Sequence, residues 1–450
     1  MALETLIDSQ SAAAEIMDID YAEMKECQEP ELVMVGSVAA RGQESVAAYR
    51  AHSGDSFRPD LIAKGGIRMF SAYRSDAEAR ATVKELAVEM YSKLALRGHS
   101  DGYKGGKGLI VADSRLPFDT RVKIIQDYEH LMEDAGLAGP YRYVPAGDIG
   151  TNGLADAYAL EYHKSNPSDP LWRAIITGKY PENGGLEFRS AATGWGTFIT
   201  QSVIMAAKGH NKNIETAIQG FGNVGGWHAY FASSDPSQKI RINAISDSDG
   251  TLFTSSPNGL KITREMVEQI ADNPKFTGQK IHALQAALGQ TQPGLETKIL
   301  AASDILTCPT DYFVPAAMGN VINHQNVGKL GARYGIIEAA NGPTTKSAHH
   351  YLVKHGQILV VPDIVANGAG VDCSIKERDA NLDIALNGGF APSTEVVQKQ
   401  LAETSKKIVN EVLTAANNLQ TQDLRIAAAA IAMGHVLSDS HPGLLGKLLS

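Results

Sequence analysis

The run Gly220-Phe221-Gly222-Asn223-Val224-Gly225 constrains this chain more than any other stretch of it. It follows the segment Ile214–Gln219, which reads as a strand, and it leads into Gly225–Ala232, which reads as the start of a helix. In a strand–turn–helix unit each glycine has a separate role. Gly220 permits the tight turn, Gly222 lets backbone approach a pyrophosphate, and Gly225 lets helix pack close to strand. The unpaired N–H groups of the helix start, around Asn223 and Val224, then face the phosphates with the positive end of the helix dipole. A second strand, Ile240–Ser246, leads to Asp247, 22 residues beyond Gly225. A carboxylate there can bind the ribose hydroxyls of NAD, and Asp247-Ser-Asp-Gly250 is also ordinary turn chemistry. The absence of Lys or Arg from Ser246 to Thr251 favours NAD, because a 2′-phosphate would want a cation. NADP stays open.

Around this unit the chain alternates strands with helices. Gly196–Lys208 reads as a helix, and apolar runs follow at Lys298–Ala302, Ile336–Ala339 and Ile358–Val361. That spacing predicts a parallel, doubly wound α/β domain over residues 196–370. Before it, Asp76–Lys93 carries apolar residues at helical spacing (Ala79, Val83, Leu86, Met90). A glycine-rich loop is expected next, then strand-like Gly108–Ala112, a helix over Phe118–Ala135 and a short strand over Tyr141–Pro145. The tail from Val396 to Leu437 reads as helical. With 450 residues, two or three domains are expected. A substrate domain over 1–195, with helices from 371–450 packing back on it, completes the expected architecture.

Lysines sit among glycines in the first half: Lys64-Gly65-Gly66-Ile67-Arg68, then Lys93, then Gly105-Gly106-Lys107-Gly108. Glycine lets backbone crowd a small ligand, and a lysine in a closed site acts near neutral pH when its pKa falls. Three converging cations would bind a small dianion, whereas surface lysines beside loops would mean nothing. Asp148, in Pro145-Ala146-Gly147-Asp148, follows a strand among small residues. There it could accept a proton from an amine, or simply cap a turn.

Composition closes off other classes. A net charge of −9 without long basic runs argues against nucleic-acid binding. The apolar runs are too short for a membrane helix, and the start lacks a signal peptide's basic and apolar regions. Three cysteines, Cys27, Cys308 and Cys373, form no CxxC pair or disulfide framework. A cytoplasmic location is expected. His349, His350 and His355 match no metal-ligand spacing, so no metal is expected.

In their order these blocks resemble the glutamate/leucine/phenylalanine/valine dehydrogenase family, most closely its glutamate-acting members. The matching stretches are Lys64–Arg68, the helix ending at Lys93, Gly105–Gly108, Pro145–Asp148, Arg189 through Ala192-Thr193-Gly194, Gly220–Gly225, Ala340-Asn341-Gly342-Pro343-Thr344 and Val361-Pro362-Asp363-Ile364 leading to Asn367. The resemblance spans roughly residues 60–440. It implies a substrate-binding α/β domain and a Rossmann-type NAD(P)-binding domain. It also implies hydride transfer from an L-amino acid, giving a 2-oxo acid and ammonia, and a homo-oligomer, most often a hexamer.

By the same resemblance Lys107 and Asp148 are catalytic, and Lys93 holds the α-carboxylate. Lys64 and Ser374 take a side-chain carboxylate, with Gly65, Gly66, Ala146 and Val371 shaping the pocket. Arg189, Thr193 and Asp247 join the glycine turn at the cofactor, and Asn341 serves both ligands. An unpaired lysine beside an apolar substrate would be costly, so Lys64 favours glutamate. Two features depart from the family pattern. Lys107 follows Lys93 by 14 residues, a longer interval than usual, and Lys104 and Asp372 add charges near the expected pocket. Another polar, aromatic or branched-chain amino acid, or a non-catalytic NAD-binding regulator, are the alternatives.

Overall fold

The computed structural model describes residues 2–17, 30–38, 46–53, 60–73, 75–211, 213–271, 273–356, 358–438 and 440–450; Cys27 lies outside them. The chain builds two separate sheets; Lys64, Gly65, Gly66, Lys107 and Ala146 lie on strands of the first, and the turn Gly220–Gly225 follows a strand of the second.

The first sheet holds β1 (Pro30–Val38), β2 (Val46–Ser53), β3 (Ile62–Met69), β4 (Tyr103–Ile110) and β5 (Tyr143–Gly147), in the order β1-β2-β4-β3-β5. Strand β3 runs parallel to both β4 and β5, while β2 is antiparallel to β1 and β4. Helix α1 (Ala2–Met17) precedes the sheet. Helices α2 (Asp76–Leu96), α3 (Phe118–Asp134) and α4 (Ala155–Ser165) connect and cover it. Ser75 caps α2 by accepting from the Glu78 N–H, and Asp76 and Glu78 complement the dipole in its first turn.

The stretch Tyr103–Gly108, expected as a loop, is the first part of strand β4. Glycine is depleted in strands, which is why the stretch reads as a loop. Tertiary packing overrides that preference, because α2 lies so close to the sheet that only hydrogen fits at this position. A Cβ on Gly105 would collide with the Ala87 carbonyl oxygen and stand 2.7 Å from the Tyr91 nitrogen.

The second sheet has the order β12-β11-β10-β6-β7-β8-β9. Its strands are β6 (Ile214–Gln219), β7 (Ile240–Asp247), β8 (Gly250–Phe253), β9 (Lys298–Leu300), β10 (Thr310–Pro315), β11 (Ala332–Ile337) and β12 (Leu359–Val361). Strands β6, β7, β10, β11 and β12 are parallel; β8 and β9 add an antiparallel edge. Helices α5 (Ala192–Ala207), α6 (Asn223–Ser234), α7 (Lys280–Thr291) and α8 (Lys346–His355) belong to this half. The strand order reverses at β6, which places a crevice beyond the carboxyl ends of β6 and β10.

The tail is broken into α9 (Ala369–Asn387), α10 (Thr394–Asn418) and α11 (Leu424–Val436). The last break is chemical: Gln420 takes a positive φ of 52°, and the Asp423 side chain caps a new helix through the Arg425 N–H. The buried stripe Val397, Leu401, Ile408 and Val412 of α10 joins the core formed with α5. Helix α11 joins the same core and packs also on α1 and α2. The tail therefore touches both halves.

Candidate active site between the two sheets

Three lysines reach the site from adjoining elements. Lys107 on β4 pairs with Asp148, which directly follows β5, at 2.5 Å; Arg68 on β3 adds a second cation at 3.4 Å. Burial alone would raise the Asp148 carboxyl. Lys107, Arg68 and the Ile149 N–H outweigh it and hold the group well below the usual carboxylate range. Gly66 makes room for this pair, since a Cβ there would stand 2.8 Å from that of Asp148. The result is an ionised carboxylate against a lysine.

Lys93, in the last turn of α2, crosses to the other sheet. Its Nζ donates to Asn367 Oδ1 at 2.7 Å and to Asn341 Oδ1 at 3.2 Å. Asn367 in turn donates to Asn341 at 2.8 Å and to the Ala339 carbonyl at 3.2 Å. Burial lowers the Lys93 ammonium from its ordinary value, and Asp363 and Glu89 partly restore it. A cleft between the sheets is lined by Lys93, Lys107, Asn341, Gly342, Thr344 and Asp363.

Lys64 is 2 % exposed and donates to the Val144 carbonyl at 3.1 Å and to Thr177 Oγ1 at 3.0 Å. Thr177 is hydrogen-bonded to buried Ser374 of α9, so Lys64, Thr177 and Ser374 form one polar cluster. Glu377, one turn further along α9, fixes the neighbouring backbone by accepting from the Gly178 N–H at 2.9 Å and from Lys179 Nζ at 2.7 Å. Burial pushes the Lys64 ammonium well below its ordinary value, and the Arg189 charge adds to that, while Glu377 opposes it. Ala146 bridges to Thr177, and half-buried Val371 packs with Leu94, Tyr103 and Ile375.

At the other side of the cleft the glycine turn has the expected form. Gly220 takes a φ of +96°, and a Cβ there would stand 2.9 Å from that of Ala317. Gly225 lies against the Gly220 carbonyl, so a Cβ would collide with it. Around Gly222, by contrast, a Cβ would find nothing within 4 Å. That open backbone sits at the start of α6, which has no side-chain cap, and so has N–H groups free to meet a phosphate. These features fit a dinucleotide.

Known proteins carry the same pattern. Residues 184–441 match the Glutamate/Leucine/Phenylalanine/Valine dehydrogenase model, and residues 31–163 match the dimerisation domain of the same group. The chain belongs to the glutamate/leucine/phenylalanine/valine dehydrogenase family.

Among relatives, the glutamate dehydrogenase of Thermotoga maritima is 30 % identical over 96 % of both chains. The cryptic catabolic NAD-specific glutamate dehydrogenase of Bacillus subtilis is 32 % identical over 86 % of this chain and 81 % of its own. In fold, the chain is similar to the hetero-hexameric glutamate dehydrogenase of Thermus thermophilus, with a TM-score of 0.77 at 21 % identity over 97 % and 95 % of the two chains. As a member of this family, the protein is an amino-acid dehydrogenase.

The remaining site residues expected from the family resemblance fall as follows. Thr193, in the first turn of α5, sits against Gly370, and the Arg189 guanidinium approaches the same glycine, with Nη1 3.6 Å from where a Cβ would be. Asp247 ends β7 and accepts from the Phe221 N–H at 3.1 Å and the Ser248 N–H at 2.7 Å. Lys280 Nζ stands 3.8 Å from Asp247, a cation supplied from 33 residues further along the chain, outside residues 246–251.

The family departures are also resolved. Asp372 is no pocket charge: Arg97 Nε holds its two oxygens at 2.8 and 2.9 Å, and His99 Nε2 lies 3.1 Å away. Between Lys93 and Lys107, Arg97 is the C-cap of α2 and His99 lies in the turn that follows it. Lys104 lies on β4; burial of His52 disfavours its protonation, and the Lys104 charge adds to that. Among the described residues no group of His, Cys, Asp or Glu could hold a metal ion, and His349 is paired with Asp423 at 2.7 Å. Nor is any described helix long and apolar enough to cross a membrane.

Three site residues escaped the sequence. Thr177 lies in a stretch of short turns and meets its partners 113 and 197 residues away, which no local pattern reveals. Asn367 was part of a matching block without a role. Glu89 lines the cleft one helical turn before Lys93, and that four-residue spacing was the available signal.

Proposed function

We propose that this chain catalyses the reversible oxidative deamination of L-glutamate to 2-oxoglutarate and ammonia, with NAD as the hydride acceptor. The observation that carries the substrate is the enclosed cluster of Lys64, Thr177 and Ser374. A buried ammonium held only by neutral oxygens is poorly compensated, and a substrate side-chain carboxylate would supply the missing charge. An apolar side chain would leave it uncompensated.

In this reading Lys93 receives the α-carboxylate, oriented by Asn367 and Asn341. The α-carbon then lies between the Lys107–Asp148 pair and the crevice beside Gly222. Asp148, kept ionised by Lys107 and Arg68, accepts a proton from the substrate's amine. Bound NAD supplies the hydride acceptor. Lys107 then orients a water toward the imine carbon and exchanges protons with it, so acid and base duties are divided between two groups in one environment. Closing of the two lobes around the cleft excludes water while the hydride moves.

The lobes are assigned as residues 1–195 with 371–450 for substrate and 196–370 for cofactor; the two sheets support the division near residue 195, while the helical tail contacts both halves. A homo-oligomer of six chains is part of the same reading, supported by the dimerisation-domain match. So is a cytoplasmic location. The test is a panel of L-amino acids assayed for reduced-cofactor formation with NAD and with NADP. Glutamate with NAD should give the highest kcat/KM. Faster reaction of leucine, phenylalanine or valine would overturn the substrate assignment, and preference for NADP would overturn the cofactor.

A further inference from the structure

Among the described residues, Glu89 is the one carboxylate lining the cleft that the mechanism above does not use and that no partner neutralises. It projects from α2 one turn before Lys93, and among the described residues it makes no hydrogen bond or ion pair. Asp363, the other acid lining the cleft, differs in this respect. Its carboxylate accepts from the Gly342 and Ile364 N–H groups at 2.9 Å each and lies 3.6 Å from Arg425. Lys93 itself is held by two neutral amide oxygens and has no ion-pair partner among the described residues. Glu89 therefore faces the two lysines that, on the proposed function, receive an anionic substrate.

We infer that Glu89 is a positioning residue that takes up a proton when the anionic substrate enters, so that the site binds substrate and proton together. This rests on the substrate assignment just given. The charges around Glu89 carry the argument. Burial raises its carboxyl, Asp363 across the cleft raises it further, and Lys93, Lys107 on β4 and Arg68 on β3 lower it, leaving it at about 7. Arg425 of α11 lines the same cleft. A substrate carboxylate on Lys93 cancels part of the attraction that keeps Glu89 ionised and adds a like charge beside it. Both changes drive Glu89 to bind a proton. By linkage, substrate affinity is greatest where Glu89 is already protonated, below about pH 7, and falls as the pH rises through that value.

The test is calorimetric titration of 2-oxoglutarate into the enzyme with reduced cofactor bound, at pH 7 to 8, in buffers of different ionisation enthalpy. Wild type should take up a substantial fraction of one proton. Its KM for 2-oxoglutarate should rise several-fold between pH 7 and 8, up to the roughly tenfold limit for one linked proton. Glu89→Gln and Glu89→Met both remove the charge and suit a helix. Each should lose that proton uptake and flatten the KM profile, with an affinity at pH 8 equal to or better than wild type.

A merely structural Glu89 predicts instead that the variants weaken binding alike at every pH while proton uptake stays unchanged; that result overturns the inference. Failure of 2-oxoglutarate to bind wild type at all would overturn the substrate assignment itself, a separate outcome.

Discussion

On the substrate sheet a Cβ at Gly65 or Gly105 would run into the protein's own backbone, the Gly106 or Ala87 carbonyl. In the cofactor turn a Cβ at Gly222 would enter open space. The same residue type thus meets two different demands. Gly65 and Gly105 let a strand lie beside its neighbour and a helix lie on the sheet, the close packing from which Lys64, Lys93 and Lys107 project. Gly222 leaves the room that a pyrophosphate needs. Glycine in a motif is therefore ambiguous evidence for binding, and the surroundings of the absent Cβ resolve it.

The comparison can be broken at either end. Lys107→Ala touches only the chemistry that the packed glycines position. It should lower turnover by roughly a hundred- to ten-thousand-fold, the span of general acid–base effects, with cofactor binding by fluorescence unchanged. Turnover close to wild type would remove Lys107 from the mechanism.

Gly105→Ala should act on stability instead. Forcing a methyl into the contact with α2 costs about 1–3 kcal/mol, read as a lower denaturation midpoint, and activity should fall with the folded fraction. The smallest effect is expected for Gly222→Ala: a several-fold rise in cofactor KM with a thermal midpoint near wild type. If Gly222→Ala destabilised the fold as Gly105→Ala does, the distinction between packing and ligand glycines would collapse.

Legibility in the sequence followed locality. The turn at Gly220–Gly225 and its flanking strand were readable because a strand, a turn and a helix start are contiguous, and each glycine answers a local constraint. The substrate sheet was harder. Tyr103–Gly108 reads as loop by composition and becomes strand only because α2 presses on it. Strand β10 is hard to read although it sits between β6 and β11, since Asp311 and Pro315 flank an apolar run of only three residues, Tyr312–Val314. The Lys64 cluster shows the limit most clearly. Lys64 and Ser374 emerged through the family pattern, while Thr177, which joins them, lies in irregular chain with no period to read.

The Arg97–Asp372–His99 cluster has a consequence for pocket redesign. It ties the turn between Lys93 and Lys107 to the first turn of α9, which also carries Val371 and Ser374. Grafting another relative's Val371–Ser374 segment onto this chain without changing the turn would strand the Arg97 guanidinium in an apolar setting, at a cost of about 3–5 kcal/mol. Positions 97, 99 and 372 thus have to be changed together, and a library that varies pocket residues one at a time would score as inactive many combinations whose only defect is an abandoned charge.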